Sequence, residues 1–162
     1  MIIIVEGIDR VGKTTLANMI SKECNYPLFK DNPKYNTIYT DKTINSEKIN
    51  LLLNLMEINA LQNIILDRGH FTEFVYGIVD RDYVNDDVWG FDERLAELDN
   101  VLLIYVKPED IERSTREHGS DLSHHNQLMD KCMNKSKIKN IIHTSYSQLN
   151  KTLEQVKELI NR

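Results

Sequence analysis

Met1-Ile-Ile-Ile-Val-Glu-Gly7-Ile-Asp-Arg-Val-Gly12-Lys13-Thr14-Thr15 is the stretch on which the fold turns. Ile2 to Val5 is short, wholly apolar and β-branched, the pattern of a strand buried on both faces. The run breaks at Gly7, and from Thr14 the spacing of Leu16, Ala17 and Ile20 makes one apolar helix face. Between them, Gly7-x-x-x-x-Gly12-Lys13-Thr14 fits the phosphate-binding pattern G-x-x-x-x-G-K-[ST] in full, in the strand–loop–helix setting that the pattern requires. The residue types follow from the chemistry. Only a loop with little bulk can curl its N–H groups around a triphosphate, and Gly7 and Gly12 allow that path because they lack Cβ. The helix start and its dipole favour the anion. Lys13 is expected to reach the β- and γ-phosphates, and the Thr14 hydroxyl to ligate Mg²⁺. The loop from Gly7 through Arg10, Val11 and Gly12 to Thr15 is thus the expected cradle for a nucleoside triphosphate.

Working outward, 162 residues suit one domain with a single three-layer core. A hydrophobic content of 41% beside 28% charged residues is that of an ordinary globular protein. The net charge of −5 argues against a general nucleic-acid binder, which needs a basic face. Cys24 and Cys132 have no metal or redox spacing and read as buried free thiols. Ile2 to Val5 is too short for a signal peptide, and no run approaches a membrane span. These features predict a soluble, cytoplasmic protein with a small-molecule partner and neither nucleic acid nor membrane.

The pattern continues as strand and helix in alternation. A helix over 13–24 precedes a possible strand at Tyr26–Phe29 and a polar loop over 30–43 containing Pro33. A helix over 46–60 follows, with Ser46 as its N-cap. Asn63–Leu66 reads as a strand, 71–81 as a helix, and Asp80–Glu93 as an acidic segment without period. A short helix near 92–98 leads to the strand Val101–Val106, which stops at Pro108. Glu109–Glu117 is helical, Gly119–His125 a polar loop, Met129–Ile138 weakly helical, Ile141-Ile142 a last strand, and Tyr146–Ile160 an amphipathic helix. Apolar strands alternating with helices mean a parallel sheet covered on both faces. The fold class is therefore α/β: a three-layer α/β/α P-loop NTPase fold on a five-stranded parallel sheet, one domain over 1–162 with a lid at about 113–127. Ligands of such sheets bind beyond the C-terminal strand ends. The loop Gly7–Lys13, Asp67-Arg68 and Lys107–Arg116 all follow strand ends and should converge on one cleft.

Asp67 follows three apolar residues, as a strand-tip acid that holds Mg²⁺ does, and it could equally cap the next helix. Arg68 beside it could clamp a phosphoryl group bidentately. Arg113 and Arg116 share a helical face beside Glu117–Asp121, as a phosphoryl-transfer lid needs. Asp9 inside the loop is repelled by a triphosphate and needs another partner, such as a sugar hydroxyl or a cation. His118, His124 and His125 lack metal-ligand spacing and read as solvated lid residues.

Glu6-Gly-Ile-Asp9-Arg10-Val-Gly-Lys-Thr-Thr15 closely resembles the phosphate loop of thymidylate kinases. Asp67-Arg68-Gly-His-Phe-Thr72-Glu-Phe-Val-Tyr76 is similar to that family's Asp-Arg motif, with Thr72 where Ser is usual. Val106-Lys-Pro108-Glu109-x-x-x-Arg113-x-x-Arg116 resembles the strand and lid arginines of thymidylate and deoxynucleoside kinases. The resemblance implies transfer of the γ-phosphoryl of MgATP to a deoxynucleoside monophosphate of the dTMP kind. Lys13 would hold ATP, Thr14 and Asp67 the Mg²⁺, and Arg68 the acceptor phosphate. Asp9 would lie near the acceptor sugar, and Arg113 and Arg116 would stabilise the transferring group. His143 to Ser147 would border the adenine, and Phe71, Phe74 and Tyr76 could stack on the acceptor base or pack in the core. The interval between Lys13 and Asp67 is short for that family, with lysines but no arginine around Lys30–Lys34.

Three other readings stay open. A deoxynucleoside kinase would want a carboxylate base, which Glu6 or Asp9 could supply. A non-catalytic nucleotide-binding module would need only the loop. A GTPase would need Asn-Lys-x-Asp, whereas Asn134-Lys-Ser-Lys137 lacks the acid. The face Phe71–Ile78 could pair two copies as a homodimer or lie in the core.

Overall fold

The computed structural model describes residues 1–30 and 41–161. Strand β1 (Ile2–Glu6) is buried at every position and forms the middle of the sheet. On either side lie β3 (Ile64–Asp67) and β4 (Val101–Lys107), with Ile2 in register with Ile64 and with Val101. The edges are β2 (Leu28–Lys30) and β5 (Ile141–Ser145), and every pairing is parallel. The order β2-β3-β1-β4-β5 gives the five-stranded parallel sheet expected from the sequence. Burial on both faces explains why the central strands read as unbroken apolar runs rather than alternating ones.

Helix α1 (Lys13–Cys24) packs on the sheet beside α7 (Leu149–Ile160). On the other face lie α2 (Lys42–Glu57), α3 (His70–Asp80), α4 (Asp87–Ala96) and α6 (Ser123–Lys135), each touching its neighbours. Strand alternation sends Ile4 and Glu6 toward α3. There a Cβ on Gly69 would meet Ile4 Cγ2 at 2.6 Å. Helix α5 (Ile111–His118) is short and follows β4 directly. No helix among the described residues is long and apolar enough to cross a membrane.

Several sequence boundaries move, each for a local reason. Helix α2 starts at Lys42, capped by Asp41, whose carboxylate accepts from Thr43 N and Ile44 N at 2.8 and 3.2 Å. Ser46 is not the cap, because its hydroxyl is spent on Asp87 at 3.0 Å. The acidic segment holds the start of α4, with Val88 and Phe91 buried around the tolerated Gly90. Helix α6 begins at Ser123, inside the expected polar loop, because His125 and Met129 face the core. Helix α7 is preceded by a 3-10 turn, Tyr146–Gln148. Cys132 is buried but Cys24 only half so. Phe71, Val75 and Tyr76 are core residues, so that face of α3 packs within the chain. The expected loop at Pro33 and Lys34 lies outside the described residues.

Candidate functional site

The C-terminal tips of β1 and β3 carry the centre of the site. Gly7 and Gly12 have φ of 145° and 98°. A Cβ at Gly7 would collide with the Val106 carbonyl oxygen, and one at Gly12 would lie 2.7 Å from the Tyr146 ring. Both positions therefore need glycine, for backbone conformation and for space. Arg10 is also left-handed, at φ 64°, with its side chain exposed, while Val11 is buried beneath the loop. Thr15 is exposed on the first turn of α1.

Lys13 is buried; its ammonium donates to the Ile8 carbonyl and lies 3.7 Å from Asp9 Oδ1. Burial pushes it down to about 8, and the Arg68 charge acts in the same direction; Asp9, Asp67 and Glu6 pull it back. A loop carbonyl and a carboxylate thus partner the ammonium. Thr14 Oγ1 donates to Asp67 Oδ2 at 2.7 Å, joining the start of α1 to the tip of β3. Asp67 is buried, and its second oxygen, Oδ1, has no hydrogen-bond partner among the described residues. A buried carboxylate oxygen without a donor is costly in a stable protein. That cost fits a cation here: Mg²⁺ takes one or two protein oxygens and fills its shell with phosphate and water.

Arg68 follows at φ 89°, a left-handed backbone that a bulky residue adopts only when its surroundings force it. Its amide bonds the Val5 carbonyl at 3.0 Å, extending the β1–β3 ladder by one rung, and its guanidinium meets Asp9 Oδ1 at 2.6 Å. Burial pushes the Asp9 carboxyl up, but the charges of Arg68 and Lys13 outweigh it and hold the group below the usual range. The Asp9 amide donates to the Tyr76 phenol at 2.9 Å, so α3 fixes the loop from outside.

Glu6 is fully buried and caps α3. Its Oε1 accepts from Phe71 N and Thr72 N at 3.0 and 3.3 Å, and its Oε2 from the Thr72 hydroxyl. The sequence left Glu6 open as a base; the structure removes it from the cleft and gives it to a helix N-terminus.

A cavity of about 1130 Å³ opens beside these residues, lined on one wall by Lys48, Leu52 and Met56 of α2 and on the other by Arg68, Glu73 and Tyr76. Its far end carries a network that sequence reading missed. Glu73 bonds Arg81 at 2.7 Å and accepts from the Tyr83 hydroxyl, which receives the Asn45 amide at 3.0 Å. These residues come from three separate segments, so no local spacing marks them. Phe71 is a core residue packed on Trp89, at 5.7 Å between ring centres, and does not line the cavity.

The segment expected to form a lid differs from the expectation. Arg113 and Arg116 are exposed and pair along their own helix with Glu117 at 2.8 Å and Glu112 at 3.9 Å; neither lines the cavity. His118, expected to be solvated, lies 3.4 Å from Asp9 Oδ2 and does line it. His125 is buried against Asp80 at 3.0 Å and Tyr76, and only His124 is exposed as expected. His143 is exposed on β5 with its ring on Tyr105; the side chain packed against Gly12 is Tyr146. Glu109 ties that turn to β4, accepting from Ser145 Oγ at 2.7 Å and Ser147 N at 2.8 Å.

No protein-family model matches the chain, and no curated protein matches it either. Solved structures do. The YorR protein of Bacillus subtilis, in complex with phosphorylated GDP, superposes with a TM-score of 0.78 at 20% identity, over 99% of this chain and 96% of its own. Deoxyadenosine kinase from M. mycoides, with dCMP and a flexible dCDP, gives 0.60 at 18% identity, over 99% of both chains. The NadR protein with NAD and AMP-PNP gives 0.60 at 19%, over 97% of this chain but 48% of NadR. At these identities the likeness establishes architecture alone: the chain has the three-layer α/β/α P-loop fold on a five-stranded parallel sheet.

Proposed function

We propose that the protein transfers the γ-phosphoryl group of MgATP to a nucleoside monophosphate, with a deoxynucleotide of the dTMP kind as the acceptor implied by the sequence. The observation that carries this reading is the state of Asp9. A nucleoside acceptor attacks through a 5′-hydroxyl and needs a base. Asp9 is ion-paired with Arg68 and held acidic, which makes it a poor one. The other carboxylates lining the cavity among the described residues are engaged as well: Asp67 by Thr14, Glu73 by Arg81 and Asp80 by His125. A phosphate acceptor brings its own anionic oxygen and asks instead for a cation, which Arg68 supplies.

In this reading Lys13 and the amides from Gly7 to Thr15 hold the ATP phosphates. Thr14 and Asp67 hold Mg²⁺, which when bound offsets charge on the transferring group. Arg68 orients the acceptor phosphate, and Asp9 lies near the acceptor sugar. Arg113 and Arg116 would join only after α5 turns inward. Catalysis is then positioning and charge neutralisation. The likeness to deoxyadenosine kinase keeps a nucleoside acceptor as the second reading.

The test is ADP release with MgATP against each deoxynucleoside monophosphate and each deoxynucleoside, beside a control without acceptor. Turnover with a monophosphate, falling roughly 100-fold or more in Arg68→Ala, supports the proposal. Turnover with nucleosides alone transfers it to the second reading, and ADP release indifferent to acceptor refutes both.

A further inference from the structure

The lid's contribution to the cavity comes from the last residue of α5. Gly119, at φ 87°, ends the helix in a left-handed cap, its amide bonding the Thr115 carbonyl at 2.9 Å. The cap leaves His118 on the final turn, with Nδ1 2.6 Å from Ser120 Oγ and Nε2 3.4 Å from Asp9 Oδ2. A serine hydroxyl donating to Nδ1 selects the tautomer that carries its proton on Nε2, and in the imidazolium Nε2 is a donor too. With its proton on Nε2, or as the imidazolium, His118 presents a donor to Asp9.

Asp9 is consequently ringed by donors from three parts of the fold. Arg68 at the tip of β3 takes one oxygen at 2.6 Å, and Lys13 lies 3.7 Å from that same oxygen; His118 faces the other. Asp9, Arg68 and His118 all line the cavity. Three donors around one carboxylate make a site suited to an anion with several oxygens, filled here by the loop's own side chain. A phosphate offers these donors more oxygens and more charge than a carboxylate does, so an entering acceptor phosphate would displace Asp9 from them. Arg68 and His118 then face the cavity together, one from the sheet and one from the lid.

We infer that His118 is a ligand for the acceptor's phosphomonoester, acting with Arg68, and that Asp9 stands in the phosphate's place until the acceptor enters. The inference rests on the monophosphate reading of the site. It makes lid closure depend on the acceptor, because the phosphate would hold α5 against the loop as Asp9 does.

Two readouts test it. In the first, protein saturated with Mg²⁺ and AMP-PNP, which fill the loop, is titrated with inorganic phosphate, with each deoxynucleoside monophosphate and with each deoxynucleoside. The His118 imidazole resonance, assigned by its loss in His118→Gln, reports the contact. It should shift with phosphate and with the accepted monophosphate, and stay still with nucleosides. In the second, His118→Ala should raise KM for the acceptor about tenfold while KM for ATP stays within about twofold, and His118→Arg should recover most of the loss. Monophosphate turnover with a silent His118, or an unchanged acceptor KM in His118→Ala, overturns this inference and leaves the proposed function standing. A phosphate-dependent shift without any monophosphate turnover keeps the anion site and overturns the acceptor assignment. Absence of both overturns the two together.

Discussion

Thr72→Val removes one hydroxyl and little else, and it probes how the strand tip is held. Thr72 is buried, and its Oγ1 is the only side-chain donor among the described residues to Glu6 Oε2; Glu6 is itself fully buried. The substitution leaves a charged oxygen without that donor in a place with no access to water. A hydrogen bond to a charged group is worth about 1.5–3 kcal/mol, and stranding the acceptor adds to the loss, so about 2–3 kcal/mol of stability should go. For a domain of this size each kcal/mol shifts Tm by about 2–4 °C, giving a fall of about 4–12 °C. Thr72→Ser keeps the donor and should lose less than about 1 kcal/mol. Urea unfolding followed by circular dichroism gives both values, with an unchanged m-value showing that only stability moved. Glu6 does not line the cavity but Thr72 does, so Thr72→Ser, which keeps the hydroxyl in place, is the variant that should keep its acceptor KM. A loss below about 0.5 kcal/mol would refute the idea that the Glu6 carboxylate anchors α3. Faster turnover in Thr72→Val would return Glu6 to the chemistry.

Two further perturbations report on neighbouring contacts. Tyr76→Phe strips the acceptor from the Asp9 amide; as that amide is half-buried, about 1 kcal/mol should be lost, with KM for ATP raised a few-fold in steady-state kinetics because the loop is less well held. Asp92 is held below its usual range: burial pushes it up, but hydrogen bonds from His70, from the Lys137 amide and from Ser136 outweigh that. A carboxyl lowered in the folded state stabilises above its unfolded pKa, near 3.9, and the benefit fades as pH falls through the folded value. Asp92→Asn should therefore lose about 2 kcal/mol at pH 7, and the gap to wild type should close below about pH 4 in urea midpoints measured across pH.

The first fifteen residues carried the most information because each constraint there is local. A short β-branched apolar run broken by glycine reads as a buried strand, two glycines permit the positive φ of the loop, and a lysine and threonine follow at fixed spacing. Strand and helix alternation then determined the three layers and the parallel sheet, since the period of apolar residues is written in consecutive positions. Asp67 and Arg68 were legible for the same reason: they end a strand, and in a parallel sheet strand ends share one edge.

Tertiary structure decided whatever depends on residues far apart in the chain. Glu6 reads as a cleft carboxylate until α3, some 65 positions later, is seen to place its amides on it. His118 and His125 look alike in the sequence, yet one turn of α6 buries the second against Asp80 while the Gly119 cap leaves the first beside Asp9. Arg113 and Arg116 have the spacing of lid residues, but in this arrangement the i, i+4 glutamates on their own helix are nearer than the loop. The Glu73–Arg81–Tyr83–Asn45 network comes from segments that only packing unites. Sequence determined the fold and the phosphate loop because backbone conformation is a short-range property; which charges meet in the cleft is long-range, fixed by how helices on one face of the sheet come to rest against each other.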